Sequence, residues 1–301
     1  MKTIGGQAVI EGVMMKSPAG WSVAVRDPKG EINFKTVRSK KSNPIFKLPL
    51  IRGGVALLQA MIVGVKAIEF SGSVAYREGE DKSEKPISNW AIGMSIGLAL
   101  VVAIALFKFL PLLIATFVGS IYGGVAKSSL LFNIVDGVTR VCIFLLYVYG
   151  IGFWKEIKRI FEYHGAEHKV IYTFEAGEEC TVENARKYKP YHPRCGTSFL
   201  LIVMVISIVT FMFIPQEWSF VDKLVARIFL LPVIAGISFE TLKLSAKLKD
   251  HPIMGVIILP GLLLQRLTAL EPDDSQIEVA IAALSEVLKL DENIKEGCGQ
   301  C

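Results

Sequence analysis

The chain has 301 residues, of which 52% are hydrophobic and 20% are charged, and its mean hydropathy is +0.47. These values exclude an average soluble protein and indicate a membrane protein. The net charge of +5 does not indicate nucleic-acid binding, because the basic residues cluster beside apolar runs, where they set membrane orientation. We therefore expect the lipid bilayer as a partner, and no nucleic acid.

Residues 1–47 predict a small amino-terminal β module. The segments QAVIEGVMM, WSVAVRD and EINFKTV are rich in β-branched and aromatic residues, and DPKG is a turn signal. No cleavable signal is expected, since the first apolar stretch is short and contains Glu11. Residues 48–85 predict a helix followed by a charged linker. Because this helix contains charged residues such as Arg52, we expect it at the membrane interface or against the bundle rather than across the bilayer.

Residues 86–270 predict a membrane bundle of about four spans, with a polar cytoplasmic segment at 155–196. Pro111 is expected to break or kink the path after the first span, which leaves the next apolar stretch as an outer connection, a re-entrant element or part of a long tilted helix. The apolar stretch that follows residue 251 is short and predicts a re-entrant or interfacial piece. The expected spans are 90–107, 130–154, 198–215 and 224–242.

Residues 271–301 predict a carboxyl-terminal amphipathic helix and a tail. Ser275 and Glu278 have the spacing of a capping box, and Ile277, Ile281, Leu284 and Leu288 form an apolar face. The positive-inside rule places this helix, the β module and residues 155–196 on the cytoplasmic side. The predicted fold is therefore mainly α, a polytopic membrane bundle with both termini cytoplasmic.

Charged residues inside the spans are costly in lipid and need a role. Asp136 and Arg140 are four residues apart on one helix face and form an ion pair inside the bundle. This pair is either structural or part of a proton or substrate path. Arg227, near the start of its span, is expected to extend to the membrane interface.

The segment YHGAEHK contains His164, Glu167 and His168. Two imidazoles at i and i+4 share a helix face and lie within reach of one metal ion, with Glu167 on a neighbouring line. The alternative is a pair of ordinary hydrogen-bonded histidines at a helix end.

The segment YHPRCGTSF contains His192 and Cys195 with H-x-x-C spacing, and Thr197 or Ser198 is expected to cap the next helix. We predict that His164, His168, His192 and Cys195 converge on one ion, once residues 175–189 fold back with a short helix from Thr181. Mixed nitrogen and sulfur ligands favour Zn²⁺, with Fe²⁺ next. Alternatively, Cys195 is a packed thiol.

The five cysteines do not indicate a disulfide framework. Cys298 and Cys301 form a terminal C-x-x-C, which is either a flexible tail or a source of a further soft ligand.

Four segments, GGQAVIEGVMM, YHGAEHK, HPRCGTSF and PGLLLQRLTALEPDDSQIEVAIAAL, together resemble the YqhQ-like bacterial membrane proteins, a domain of unknown function provisionally labelled metal-dependent enzymes. The resemblance implies that Gln7, Arg194, Gln265 and Glu271 are candidates for substrate binding. The matching segments also contain Glu11, which we take as a candidate catalytic residue. If Gln7 and Glu11 lie on one extended strand they face the same side, either toward the bundle's cytoplasmic mouth or toward solvent.

These patterns predict a membrane-embedded metal-dependent enzyme that acts on a lipid-linked or membrane-proximal substrate, with Glu167 as a metal ligand or general base. Two alternatives remain at this point. One is a non-catalytic membrane scaffold with a structural metal site, and the other is a transporter that uses Asp136 and Arg140.

Overall fold

The computed structural model describes residues 4–39, 51–77, 89–193, 195–215, 217–247 and 252–298, and the described chain is mainly α-helical with one small sheet. The strands are β1 (Gly5–Val9), β2 (Gly12–Lys16), β3 (Gly20–Arg26) and β4 (Ile32–Arg38). The helices are α1 (Ile51–Ala75), α2 (Asn89–Ile104), α3 (Leu110–Ile121), α4 (Gly123–Lys127), α5 (Ser129–Ile151), α6 (Lys155–Ala176), α7 (Val182–Arg186), α8 (Gly196–Phe211), α9 (Phe220–Phe229), α10 (Leu231–Lys247), α11 (Pro252–Thr268) and α12 (Asp274–Cys298).

The sheet is an antiparallel meander in the order β1-β2-β3-β4. The DPKG segment forms the predicted turn, in which the Asp27 carboxylate accepts hydrogen bonds from two backbone amides and Gly30 has a φ of +88°. The QAVIEGVMM segment is two strands rather than one, and Glu11 lies in the turn between them with a φ of +49°. The expectation that Gln7 and Glu11 share one side of a strand is therefore wrong.

Both faces of the central strands are buried. One face, which includes Val13 and Ala24, packs against α6 and α12. The opposite face, which includes Trp21 and Val23, packs against the carboxyl-terminal half of α1. The sheet is therefore a middle layer between helices, which explains the nearly continuous apolar character of β2 and β3.

Within the described chain, three helical segments are long and apolar enough to cross a membrane: Arg52–Ala75, Gly93–Ile121 and Ser129–Ile151. By length and composition α1 qualifies as a membrane span, whereas the sequence predicts it at the interface or against the bundle. The apolar parts of α8 and α10, Phe199–Phe211 and Leu231–Leu242, are shorter.

Two predicted span boundaries differ from the observed helices. Residues 93–121 form one long helical path, in which a π-helical turn at Ala105–Phe109 precedes Pro111 and accommodates its missing N–H. The predicted span 224–242 is instead divided between α9 and α10. The division falls just before Pro232, which lies in the first turn of α10, where proline is tolerated.

Helix α12 begins two residues earlier than the predicted capping box implies. The Asp273 carboxylate accepts the Gln276 amide at 2.9 Å, and the Gln276 side chain accepts the Asp273 amide at 2.9 Å. This reciprocal pair is the capping box, and the pair predicted at Ser275 and Glu278 is wrong. The apolar side of α12 enters the core shared with β2, β3 and α6.

A buried charge network joins α5, α8 and α9. One carboxylate oxygen of Asp136 accepts a hydrogen bond from Arg140, and the other accepts one from Arg227 at 2.7 Å. Arg140 also donates to the Ser207 hydroxyl at 2.9 Å, and Arg227 donates to the Asn133 side chain at 3.3 Å. Arg227 is only 1% exposed, so the expectation that it extends to the interface is wrong. Since both Asp136 oxygens have guanidinium partners, the geometry favours a structural role.

We expect Asp136→Asn to lower the free energy of unfolding by about 3 kcal/mol, because two buried guanidinium groups lose their countercharge. Unfolding of the purified protein in mild detergent measures this loss. The control Asp222→Asn, on the exposed side of α9, should cost less than about 1 kcal/mol. Equal losses for the two variants would contradict a structural role for the network.

Because Asp136 pairs with two arginines, we also predict how a double and a triple variant differ in stability. Replacement of both Asp136 and Arg140 by leucine should not restore stability, because Arg227 would remain buried without a carboxylate. The further change Arg227→Leu should recover much of the loss. The same unfolding measurement distinguishes the double from the triple variant.

Candidate metal centre

Helix α6 carries the two histidines of the YHGAEHK motif between the sheet layer and the bundle. His164 and His168 lie on one face of α6, with ring centroids 4.4 Å apart. The chain then returns as predicted, through a loop and the short helix α7, which Thr181 caps by accepting the Asn184 amide at 3.2 Å. This return brings the HPRCGTSF motif back to α6.

Cys195 occupies the position before the first residue of α8. Its amide donates to the His192 carbonyl at 3.2 Å, which closes the tight turn. Its sulfur accepts the Thr197 amide at 3.4 Å, so Cys195 itself is the helix cap and not Thr197 or Ser198. The Thr197 hydroxyl lies 3.1 Å from the same sulfur. Donors at a helix amino terminus stabilise negative charge on the sulfur, as a metal-binding thiolate requires.

Three potential ligand atoms converge at this point. The side chains of His164, His168 and Cys195 offer nitrogen or sulfur atoms that all lie within 4.8 Å of one another. The closest pair is His164 Nε2 and Cys195 Sγ, at 3.1 Å. His164 and His168 come from the YHGAEHK motif on α6. Cys195 comes from the HPRCGTSF motif, which the α7–α8 connection holds against α6.

Backbone carbonyls fix the orientation of both imidazoles. His164 Nδ1 donates to the Thr268 carbonyl at 2.7 Å, and His168 Nδ1 donates to the Pro190 carbonyl at 2.6 Å. Because a carbonyl only accepts, the hydrogen lies on Nδ1 in each neutral ring and the lone pair lies on Nε2. Histidine ligands in metalloproteins are held in this way.

The nitrogen and sulfur atoms of this group are suited to bind a metal ion. His168 Nε2 is buried and has no hydrogen-bond partner in the part of the chain that the structure describes. A buried lone pair of this kind is costly unless a ligand uses it. Two imidazole nitrogens and a sulfur are donors that suit Zn²⁺.

His192 lies beside this group rather than within it. Its ring is 5.8 Å from that of His168 and packs edge-on against Tyr172 at 4.4 Å. Its Nε2 atom is 3.5 Å from a carboxylate oxygen of Glu175. Burial, and secondarily the neighbouring His168, lower the pKa of His192 to about 4, so its imidazole is neutral at physiological pH. The sequence predicts that four residues converge, whereas in the structure three of them converge and His192 lies beside them.

Glu167 is buried against the sheet. The Gly6 amide donates to its carboxylate, and a Cβ atom at position 6 would lie 2.8 Å from the Glu167 carboxyl carbon. Glycine is therefore required at this approach of β1 to α6. Burial raises the pKa of Glu167 to about 7, although His164 and the Gly6 amide act in the opposite direction. Glu167 is outside the group of potential metal ligands.

Two predicted substrate-binding residues have structural contacts instead. Gln265 is buried and binds the His192 backbone twice, by accepting its amide at 2.7 Å and donating to its carbonyl at 2.9 Å. It therefore braces the turn that carries Cys195. Glu271 is 68% exposed and pairs with the buried Lys169.

The two amino-terminal candidates, Gln7 and Glu11, have different surroundings. Gln7 packs its side-chain amide against Gly64 of α1 and lines the cavity beside the cluster. Glu11 instead forms a two-point ion pair with Arg159, and Tyr163 donates to it at 3.3 Å. This pairing raises the pKa of Arg159. Three further candidates, Arg194, the Cys298 side chain and Cys301, lie outside the described residues.

A cavity of about 890 Å³ opens beside the three ligand atoms. Its apolar wall comes from α1, α5, α6, α8 and α11, with side chains such as Phe144, Ile160 and Leu200. Its polar part contains the cluster and Glu167, and the sheet adds Gln7 and Lys16. A long apolar wall next to a small group of polar atoms suits an amphiphilic ligand.

The sequence alone did not identify several groups that shape the site. The carbonyls of Thr268 and Pro190 have no side-chain signature, and Arg159 was not singled out as the partner of Glu11.

Comparison with known proteins agrees with the resemblance of these motifs. A family model described as "Protein of unknown function (DUF1385)" matches residues 48–290. The uncharacterized protein YqhQ of Bacillus subtilis (strain 168) is 34% identical over 298 residues, which cover 95% of this chain and 92% of that protein. No solved structure matches the chain. The chain belongs to the DUF1385 family of YqhQ-like proteins.

Proposed function

We propose that this protein is a membrane-embedded metal-dependent enzyme that acts on a lipid-linked or membrane-proximal amphiphile. The observation that carries the proposal is the arrangement of His164, His168 and Cys195. Their three ligand atoms lie within 4.8 Å of one another and border a largely apolar cavity of about 890 Å³. A soluble, polar substrate would gain little from such a wall, whereas an acyl or prenyl chain would be desolvated by it.

The exposed apolar helices support a location in the bacterial cytoplasmic membrane. Phe117, Leu146 and Val205 are 65%, 69% and 57% exposed on the helices that are apolar enough to cross or enter a bilayer. The sheet, α6 and α12 share one core, so they lie on the same side. The basic residues that flank α6 make that side the cytoplasmic one, with both termini there.

Zn²⁺ is the expected ion, with Fe²⁺ next, because two imidazoles and a thiolate are intermediate to soft ligands. Three protein ligands are the usual number in catalytic zinc sites, which leave one position for substrate or water. When bound, the ion would act as a Lewis acid toward a carbonyl or phosphoryl group.

Glu167 is the proposed general base. Its carboxylate lines the same cavity as the cluster and is held by the Gly6 amide. With a pKa of about 7 it can accept a proton near neutral pH and release it again. Glu11 is assigned no catalytic role, because the described cavity lining does not include it and both of its oxygens bind Arg159.

A non-catalytic scaffold is the second candidate, and one observation favours it. The neutral His192 ring lies next to His168, and a shift of this ring would complete a closed four-ligand site. Such a site would hold α6 against the start of α8 and would leave no open coordination position for catalysis. The transporter hypothesis is not carried forward, since both oxygens of Asp136 are already paired.

Elemental analysis of the purified protein tests the metal centre. We expect about one zinc or iron ion per chain in the wild type and a loss of affinity of at least about tenfold in His168→Ala and in Cys195→Ser, because each change removes a ligand atom. Cys142→Ser is the matched control, since Cys142 is an exposed thiol on α5. Full metal content in both ligand variants would refute the centre.

Turnover of a bacterial total-lipid extract by the zinc-loaded, reconstituted protein tests the catalytic proposal. Mass spectrometry of the products should show a rate at least about 100-fold lower for Glu167→Gln, because the amide cannot accept the proton, while its metal content stays normal. Glu11→Gln should keep its turnover and lose stability instead.

Two results would overturn this assignment. Turnover that depends on Glu11 but not on Glu167 would reverse the roles. Metal-loaded wild type that leaves every lipid unchanged would favour the scaffold, and the content of bound metal in His192→Ala would then report whether His192 is a fourth ligand.

A further inference from the structure

A second cavity, of about 580 Å³, lies between the α7–α8 connection and the carboxyl-terminal half of α11. It shares no potential metal ligand with the first cavity. Three cationic side chains line it: Lys187, Lys189 and Arg266. No acidic residue is among the described residues that line it. The described lining of the cavity therefore carries three cations and no carboxylate.

The cations are available for a ligand. Within the described residues, the side chains of Lys189 and Arg266 make neither an ion pair nor a hydrogen bond, and the Lys187 side chain donates to that of Asn184 at 2.7 Å. Both Lys189 and Arg266 are exposed. A group of cations held close together without acids repels itself, and an anion between them relieves that repulsion.

An aromatic wall stands beside these charges. The rings of Tyr172 and Tyr188 are parallel within 7° at a centroid distance of 5.7 Å, and the Tyr188 hydroxyl donates to Glu178 at 2.7 Å. The rings already stack on one another, so they do not form an open slot for a nucleobase. Tyrosine is instead typical of the level where a protein meets lipid headgroups.

The wall that α11 contributes is apolar. Leu259 and Leu263 are 51% and 49% exposed and, four residues apart, lie on one face of α11. Arg266 extends that face by one further turn toward the cations of the connection. The ligand is therefore expected to be anionic at one end and apolar at the other.

We propose that this cavity binds the headgroup of an anionic membrane phospholipid. Lys189 and Arg266 contact its phosphate, and an acyl chain lies over Leu259 and Leu263. The Tyr172 ring is 4.4 Å from that of His192, which is in turn 5.8 Å from that of His168, so these two residues lie between the bound lipid and the candidate metal centre. The inference does not depend on a bound metal or on catalysis.

Lipid binding to the full-length protein in detergent tests this proposal by native mass spectrometry with two probes, phosphatidylglycerol and phosphatidylcholine. The variant Lys189→Gln/Arg266→Gln should bind phosphatidylglycerol about tenfold more weakly than wild type, because two cations near the headgroup are lost. The control Lys29→Gln/Arg38→Gln removes the same charge from exposed positions in the β3–β4 turn and on β4 and should bind as wild type does. Phosphatidylcholine binding should be weak and equal in all three proteins.

A measurement on wild type alone complements the variants. Raising the ionic strength from about 0.1 M to about 1 M should weaken phosphatidylglycerol binding selectively, because the contact is electrostatic. Equal phosphatidylglycerol binding by the double variant and the control would overturn the site. Full displacement of the lipid by millimolar inorganic phosphate would also overturn it, since the cavity would then recognise free phosphate rather than a lipid.

Discussion

The close packing at Gly165 is the constraint on which the candidate metal centre depends. A Cβ atom at this position would lie 1.9 Å from the Leu270 carbonyl oxygen and 3.1 Å from a side-chain carbon of Pro190. Only glycine therefore lets α6 approach the α11–α12 connection and the segment before α8 together. The same two regions supply the carbonyls of Thr268 and Pro190 that orient the two histidines on either side of Gly165. One backbone contact thus fixes both imidazoles before any ligand is present.

Glycines also allow close contacts between the sheet and the helices at the cavity wall. Gly6 allows β1 to meet the Glu167 carboxylate, and Gly64 allows α1 to meet the Gln7 side chain. The amino-terminal strands are therefore part of the site and not a separate module, because they lie between α1 and α6 and share a core with α12. Half-buried alternation, which usually marks a surface sheet, is absent from β2 and β3 for the same reason.

Local patterns in the sequence predicted the parts of the site that lie within one helix or one turn. The i, i+4 histidines, the H-x-x-C turn and the Thr181 cap are short-range features, and the structure contains all three. Long-range pairing had no such signal. Arg227 and Asp136 are 91 residues apart, so the sequence showed an isolated arginine near a span end where the structure has a network.

The start of α12 shows why spacing alone can mislead. Asp273 and Gln276 have the capping-box spacing, as do Ser275 and Glu278 two residues later. The first pair forms the box because the Gln276 side chain also donates to Glu162 of α6, at 3.0 Å. Tertiary packing on α6 therefore selects one of two locally equivalent starts.

Helix α5 carries two polar regions with different surroundings. Asp136 and Arg140 lie in its first half, whereas Phe144 and Ile151 line the cavity in its second half, and the axial distance from Asp136 to Ile151 is about 22 Å. In the first region both carboxylate oxygens are paired with guanidinium groups, and the buried Nε atoms of Arg140 and Arg227, which have no hydrogen-bond partner among the described residues, belong to that same ion network. In the second, His168 Nε2 is buried without a partner among the described residues, beside open volume. A buried polar atom next to a cavity costs stability unless something binds it, so ligand chemistry belongs at the second region and bundle stability at the first.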